Sequence, residues 1–464
     1  MQPDSTVEHL TAGGIDAGTA AAWVADLPEV TGDFERDRDA HGAFWSAGID
    51  LVHTLGEPAE RSPATATAAR AVHELSRRAK RAFLAEHRAA LYRAMTDDFR
   101  RFVRVEDAIY DCAELVAGLV PSRALVAEDD PRRLKHKEGW EYDQGVLLSS
   151  LFDWEPSGRH LLHAMLLPTA DALARLDAHL TTGLTVLDKA TVERRGRASV
   201  VTLRNERFLN AEDDTTVPSV ETAIDLALLD PATEICVLQG TAIDHPKYAG
   251  RRVFCSGVNL THVYHGQLSY IWYLKKDLGF TNKMLYGLAK PDQDPESFDG
   301  AIEKAWIAVI ESFAIGGGCQ YTLVCDFVLA ADDAYFTLPA RKEGIVPGFG
   351  NLRLPRQVGE RLARQMIMFE RRVQCDSPAG SLIVDRVVPA ADIPTAIEET
   401  VEFLTGSGVV STASNRRNLR VATEPLDLNR RYAATYAEEQ ARCHFSPALI
   451  NNLEKFWNAD QRRL

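Results

Sequence analysis

The stretch from Phe313 to Gly350, FAIGGGCQYTLVCDFVLAADDAYFTLPARKEGIVPGFG, decides the fold. It opens on apolar residues that read as a buried strand and run into Gly316, Gly317 and Gly318. Glycine at such a junction reaches unusual φ/ψ values and lets a ligand approach the backbone N–H groups closely. CQYTLVCDFVLAA then reads as a short helix running into another strand, and the helix adds its positive N-terminal end. Together these features suit an oxyanion rather than a dinucleotide. The G-x-G-x-x-G fingerprint fails, because from Gly316 and Gly318 the third position is Tyr321. A phosphate loop fails as well, since no Gly-Lys-Ser/Thr follows. Taken alone, the triplet also serves as a tight turn with close helix packing.

Upstream lies RRVFCSGVNL, Arg251 to Leu260, where a strand runs into Ser256-Gly257 and an Asn-initiated turn. Around these two segments strands alternate with helices. ATVERRGRASVVTLRN reads as two short strands about a turn at Gly196, VETAIDLALLD as an amphipathic helix, and TEICVLQG as a buried strand. KAWIAVIESFAIGGG reads as a helix or loop feeding a buried strand. This alternation predicts an α/β fold. Residues 1–189 read as a helical domain, rich in Ala, Arg, Leu and Glu from Ala64 to Val105, with Pro168 breaking a later helix. Its basic stretch (Arg77, Arg78, Lys80, Arg81, Arg88, Arg93) reads as a solvated helix face. Residues 190–388 read as the catalytic core, and residues 389–464 as C-terminal helices of an oligomerisation or lid region.

The composition fits this picture. The chain has 464 residues, 45% apolar and 25% charged, which is ordinary globular usage. Its 52 Lys+Arg against 66 Asp+Glu give a net charge of −14, without the basic footprint of general nucleic-acid binding. The 7 cysteines are scattered, with no CxxC pair, as in a reduced, cytoplasmic protein. MQPDSTVEHL does not read as a signal peptide, and no apolar run is long enough to span a bilayer. Nucleic acid and membrane are therefore not expected partners.

RRVFCSGVNL, FAIGGGCQ and PGFGNLRLPRQVG, in this order, resemble the crotonase (enoyl-CoA hydratase/isomerase) superfamily over roughly Ala190 to Val388. The resemblance implies an α/β, crotonase-like ββα-spiral core with an N-terminal helical domain and C-terminal helices. It also implies a homotrimer or homohexamer, and an oxyanion hole formed by the N–H groups of Val258 and Gly317 around an acyl-CoA carbonyl. Hydratases of the superfamily carry one glutamate in GGGCE and another in a PE dipeptide. This chain has GGGCQ, with Gln320, and Pro339-Ala340. Glutamine cannot shuttle a proton and alanine has nothing to shuttle, so hydration is not expected.

EGWEYDQGVLLSSLF, GRHLLHAMLLPT, LNAEDD, ETAIDLALLD, HPKYAGRRVFCSGVNL, AYFTLPARKEGIVPG and NLRLPRQVG resemble one branch more closely. It comprises cofactor-independent dioxygenases acting on 3,5-dihydroxyphenylacetyl-CoA in glycopeptide antibiotic biosynthesis. The likeness implies O₂ as co-substrate, no metal or flavin, and release of CoA and an arylglyoxylate. It makes Glu212 a contact to the ring hydroxyls, a position that otherwise reads as an acidic residue at a helix start. Lys276 stands where the branch leads one to expect a ring-contacting arginine; it keeps the charge and loses the bidentate fork. Gln320 would hydrogen-bond substrate near the thioester. Leu260, Ala340 and Ile345 would line an O₂ pocket, although apolar residues are core residues by default. Arg251 and Arg252 would meet CoA phosphates or form a surface ion pair.

Other chemistries find less support. His160 and His163 are spaced i, i+3 on a helix but lack a third ligand, His245 sits in a loop before Pro246, and no Gly-x-Ser-x-Gly elbow is present. Two further readings stay open: a thioester hydrolase on the same fold, and a non-catalytic acyl-CoA-binding protein.

Overall fold

The computed structural model describes residues 3–248 and 250–463. The first two residues of MQPDSTVEHL, and Ala249 of HPKYAGRR, therefore lie outside the described residues. The chain groups into two compact units, one of Met1–Leu161, Tyr264–Ile271 and Ala433–Pro447, the other of Leu162–Val263, Trp272–Tyr432 and Ala448–Leu464.

The second unit is built on a sheet whose central strands are continuous apolar runs. Its order is Leu184–Val186, Ala190–Arg195, Ala198–Leu203, Ile235–Ala242, Ala305–Ile310, Phe327–Ala331 and Arg386–Val388, with Arg252–Val253 paired to the end of Ile235–Ala242. The first two pairings are antiparallel, and the run from Ala198–Leu203 to Arg386–Val388 is parallel. Parallel strands are covered on both faces and so lose the polar–apolar alternation of half-exposed strands. Val200, Val237, Ile307 and Leu329 pack under Ile393 and Ala396 of the helix Ile393–Leu404. From the other face the Ser199 hydroxyl donates to the Ala227 carbonyl of the helix Val217–Leu229.

AWIAVI, expected as the helix or loop feeding a buried strand, is itself a wholly buried strand, Ala305–Ile310. A short apolar run carries too few residues to tell helix from strand by period. Pro168 does separate two helices, Glu155–Leu166 and Ala170–Thr182.

The spiral comes from repetition. Ala305–Ile310 in the large sheet is followed by Phe313–Ile315 in a small second sheet and then by the helix Gly317–Thr322. Phe327–Ala331 is followed in the same way by Tyr335–Thr337 and the helical turn Ala340–Glu343. Phe313–Ile315 and Tyr335–Thr337 run parallel in that small sheet. Each turn thus delivers a strand end followed by a helix start.

In the first unit the 33-residue helix Pro63–Met95 is begun by Ser62, whose hydroxyl accepts from the Thr65 amide at 3.2 Å. Its basic stretch is not simply a solvated face. Lys80 is buried and pairs with Asp143, which Arg77 also reaches at 2.8 Å. Arg77 and Lys80 lie one turn apart and converge on one carboxylate, a pairing that helical periodicity does not reveal. Among the described residues no helix is long and apolar enough to cross a membrane.

Candidate active site

The two glycine-bearing segments meet edge to edge. Cys255 bridges Ala314 in parallel register, and the Ile315 amide donates to the Cys255 carbonyl at 3.0 Å. A β-carbon on Gly257 would stand 3.0 Å from the Ile315 carbonyl oxygen and 3.3 Å from the Gly317 nitrogen, and its φ is +81°. Only glycine fits such a backbone approach. Gly316, at φ +55° and ψ −115°, then turns the chain into the helix that starts at Gly317.

This junction leaves two amides open. Val258 faces Glu212 across a parallel bridge in which the Glu212 amide donates to the Gly257 carbonyl at 2.8 Å and the Asn259 amide donates to the Glu212 carbonyl at 2.7 Å. Neither bond uses the Val258 amide. Among the described residues, the Val258 and Gly317 N–H groups donate to no protein acceptor. Val258 also lines a cavity of about 590 Å³, together with Leu260, Ala211, Ile315, Tyr335 and Pro339.

Glu212 is 5% exposed, and a β-carbon on Gly317 would fall 1.6 Å from its Oε2. Its carboxylate therefore rests against the Gly317 backbone. Neither oxygen accepts a hydrogen bond from a nitrogen or oxygen donor. Glu212 is not at a helix start, since the next helix begins at Val217, and its neighbour organises the intervening loop. Asp213 accepts from the Thr215 amide at 3.0 Å, from Asn259 Nδ2 at 2.9 Å, and contacts His262 Nδ1 at 3.0 Å. Although burial works against ionisation, these bonds hold the Asp213 carboxyl down to about 2.

Lys276 and Gln320 are joined to each other. Lys276 Nζ donates to Gln320 Oε1 at 2.6 Å and lies 3.1 Å from Asp277 Oδ1, while Gln320 Nε2 donates to the Gly348 carbonyl at 2.6 Å. Both ends of the Gln320 amide are thus engaged within the protein. Burial alone would push the Lys276 ammonium down, but the Asp277 and Glu212 carboxylates more than offset it, and its pKa is raised. Asp277, 2% exposed, was not legible as a site residue, since adjacent Lys-Asp pairs are common on surfaces.

The remaining positions are more dispersed. Leu260 lines the cavity; Ala340 and Ile345 do not, and are tied together by the Ile345 amide donating to the Ala340 carbonyl at 3.1 Å. Arg251 pairs with Asp333 at 2.6 Å and Arg252 with Glu311 at 3.1 Å, and neither lines the cavity. The cations on its wall include Arg207, Lys247 and Arg372. His160 Nδ1 is 2.8 Å from the Tyr92 hydroxyl and stacks on Phe102, whereas His163 Nε2 lies 2.9 Å from the Lys290 carbonyl. Among the described residues no group of three or more His, Cys, Asp or Glu is placed to hold a metal ion.

The sequence model for enoyl-CoA hydratase/isomerase matches residues 193–440. This chain belongs to that family. Its similarity to a (3,5-dihydroxyphenyl)acetyl-CoA 1,2-dioxygenase of Amycolatopsis orientalis is 42% identity over 408 residues, 88% of this chain and 93% of the relative. A crotonyl-CoA hydratase of Syntrophomonas wolfei is 26% identical over 47% of this chain and 75% of its own. An enoyl-CoA hydratase structure from Mycobacterium avium subsp. paratuberculosis superposes with a TM-score of 0.47 at 20% identity, covering 60% of this chain and 99% of that one.

The electrostatics of Glu212 depart from those of an ordinary carboxylate. Burial pushes its carboxyl up to about 7, against the pull of the Lys276 ammonium, and Asp277 adds to the rise. The folded carboxyl thus holds its proton more tightly than the unfolded one. Its contribution to stability is fully present below pH 4.5 and is lost as pH rises through about 7. Glu212→Gln removes that dependence. Urea denaturation is expected to show the parent losing on the order of 2–3 kcal/mol more than the variant over this window.

Proposed function

We propose that this chain is a dioxygenase that oxidises an arylacetyl-CoA, in the first instance 3,5-dihydroxyphenylacetyl-CoA, to an arylglyoxylate and free CoA. The observation that carries this reading is a pair of main-chain amides without acceptors, beside a site whose two acid–base positions hold Gln320 and Ala340. The long, 42% identical match to a dioxygenase named for this substrate supports it.

In this reading the thioester oxygen sits between the Val258 and Gly317 amides. Loss of an α-proton moves negative charge onto that oxygen, where fixed N–H dipoles stabilise it without reorganisation. The aryl enolate gives an electron to O₂, and recombination forms the carbon–oxygen bond of an α-peroxide. The distal peroxide oxygen attacks the thioester carbonyl and CoA leaves as its thiolate, taking up a proton. Loss of the second α-hydrogen then breaks the oxygen–oxygen bond. Arylacetyl-CoA and O₂ thus become arylglyoxylic acid and CoA, with every atom accounted for. The substrate is the reductant, so the sequence of steps calls for no resident metal or organic cofactor.

Lys276 and Glu212 supply the charges of the acyl end, with Gln320 as the strut that fixes Lys276. Leu260, on the cavity wall, supplies apolar surroundings for O₂. Arg207, Lys247 and Arg372 on the cavity wall take the CoA phosphates, in place of Arg251 and Arg252, whose charges are matched by Asp333 and Glu311. The enzyme is taken to be cytoplasmic and to work as a homotrimer or homohexamer. Exposed Phe403, Val410, Leu419 and Val421 on the C-terminal helices support self-association.

The test is incubation of chelator-treated protein with 3,5-dihydroxyphenylacetyl-CoA under air and under argon. CoA release coupled to O₂ uptake is expected in air, with release abolished under argon. Equal release in both atmospheres would identify a thioester hydrolase, and binding without release in either a non-catalytic acyl-CoA-binding protein.

A further inference from the structure

In the reading above, the open amides hold one end of a CoA thioester and the cations on the cavity wall hold its phosphates. The arm that joins those ends then lies along the cavity of about 590 Å³. That arm is uncharged and carries amide groups, whose carbonyls need donors once they leave water.

Among the described residues, the carboxylates on this wall are Glu343 and Glu370. Glu370 is matched, lying 3.3 Å from Lys342 Nζ and 3.6 Å from the Arg341 guanidinium. Glu343 is not: among the described residues its carboxylate enters no hydrogen bond or ion pair. It ends the helical turn Ala340–Glu343, with its amide donating to the Pro339 carbonyl at 3.1 Å. Pro339, four residues back on the same face, lines the cavity too. Gly344 closes the turn at φ +86°, and a β-carbon there would stand 3.0 Å from Leu449 Cα. The helix Pro447–Trp457 thus packs on the turn and brings Asn452, Leu453 and Phe456 to the same wall.

This setting governs the charge of Glu343. Burial pushes its carboxyl up to about 8 against the pull of the Lys342 ammonium, and Glu370 adds to the rise. On the rest of the wall, Arg207, Lys247, Arg372 and Arg462 carry charge and Tyr248 and Tyr335 titrate, whereas the residues from the packed helix do neither. An ionised Glu343 would repel the phosphates of an entering CoA ester. A neutral carboxylic acid does not, and it offers one O–H donor.

Resting on the reading that this cavity takes the CoA arm, we propose that Glu343 is a substrate-binding residue which, as the neutral acid, donates a hydrogen bond to an amide carbonyl of that arm. Binding then selects the protonated enzyme. Affinity is constant while Glu343 is neutral and is lost as the pH rises through about 8.

The experiment titrates phenylacetyl-CoA, which has no free thiol, into the protein by calorimetry under argon. Two buffers of different ionisation enthalpy are used at about pH 8. The parent is expected to take up about half a proton per ligand bound, and its affinity to fall about fivefold between roughly pH 8 and 9. Glu343→Gln keeps a donor and cannot ionise. It is expected to bind within about threefold of the parent near pH 7, with no proton uptake and level affinity over that range. Glu343→Ala is expected to bind about tenfold more weakly than Glu343→Gln. If the variants do not fold, the parent's proton uptake decides the matter. A parent that takes up no proton would overturn the proposal, as would uptake persisting in Glu343→Gln or equal affinities of the two variants. A parent that does not bind the thioester would overturn the proposal together with the assignment of the cavity to CoA. The incubation under air and argon decides the dioxygenase reading separately.

Discussion

Val258→Pro is expected to lower kcat for CoA release about 10²–10³-fold, the usual effect of removing one oxyanion donor. KM is expected to change far less, because the donor matters most when the oxygen is charged. Proline removes the Val258 N–H, and with it the valine side chain. The Val258 amide has no acceptor among the described residues, and the bridge to Glu212 runs through the Gly257 carbonyl and the Asn259 amide. The residue before it is Gly257, which tolerates the restriction that proline imposes on its predecessor. Steady-state kinetics on the folded variant, checked by circular dichroism, measure the effect. An unchanged kcat would place the reacting carbonyl elsewhere.

Lys276→Met is expected to cost the fold about 3–5 kcal/mol, because it removes one member of a buried charge pair and leaves the other behind. Lys276 and Asp277 are 3% and 2% exposed, so water does not take over the lost contact. Gln320 Oε1 loses its 2.6 Å donor in the same step, and a buried acceptor without a partner carries its own penalty. Glu212 loses the cation that pulls its carboxyl down, so its pKa rises further. Lys276→Arg keeps the charge and is expected to lose much less. Urea denaturation of both variants, read as midpoint at constant slope, separates the two cases.

The parts of the molecule legible from sequence were those set by local rules. The apolar run in TEICVLQG marks a strand covered on both faces, and Gly257 and Gly316–Gly318 mark where backbones touch. The site's polar contacts were less legible because they join distant segments. Lys276 and Gln320 are 44 residues apart in sequence, and nothing in either stretch announces that one satisfies the other. In LNAEDD three adjacent carboxylates look alike on paper. Asp213 turns out to organise the loop, and Glu212 is left without donors against Gly317. Lys80 reads as one of several cations on a helix face until Asp143, from another helix, reaches it. In each case burial and a partner far along the chain decide what the residue does.

The central claim is that molecular oxygen is built into the product of an enolate held by two main-chain amides. Turnover of 3,5-dihydroxyphenylacetyl-CoA under isotopically heavy dioxygen, followed by mass spectrometry of the acid released, tests it most directly. The account predicts an arylglyoxylate carrying both heavy atoms, one in its ketone and one in its carboxylate, alongside an oxygen kept from the thioester. An unlabelled arylacetate would contradict it.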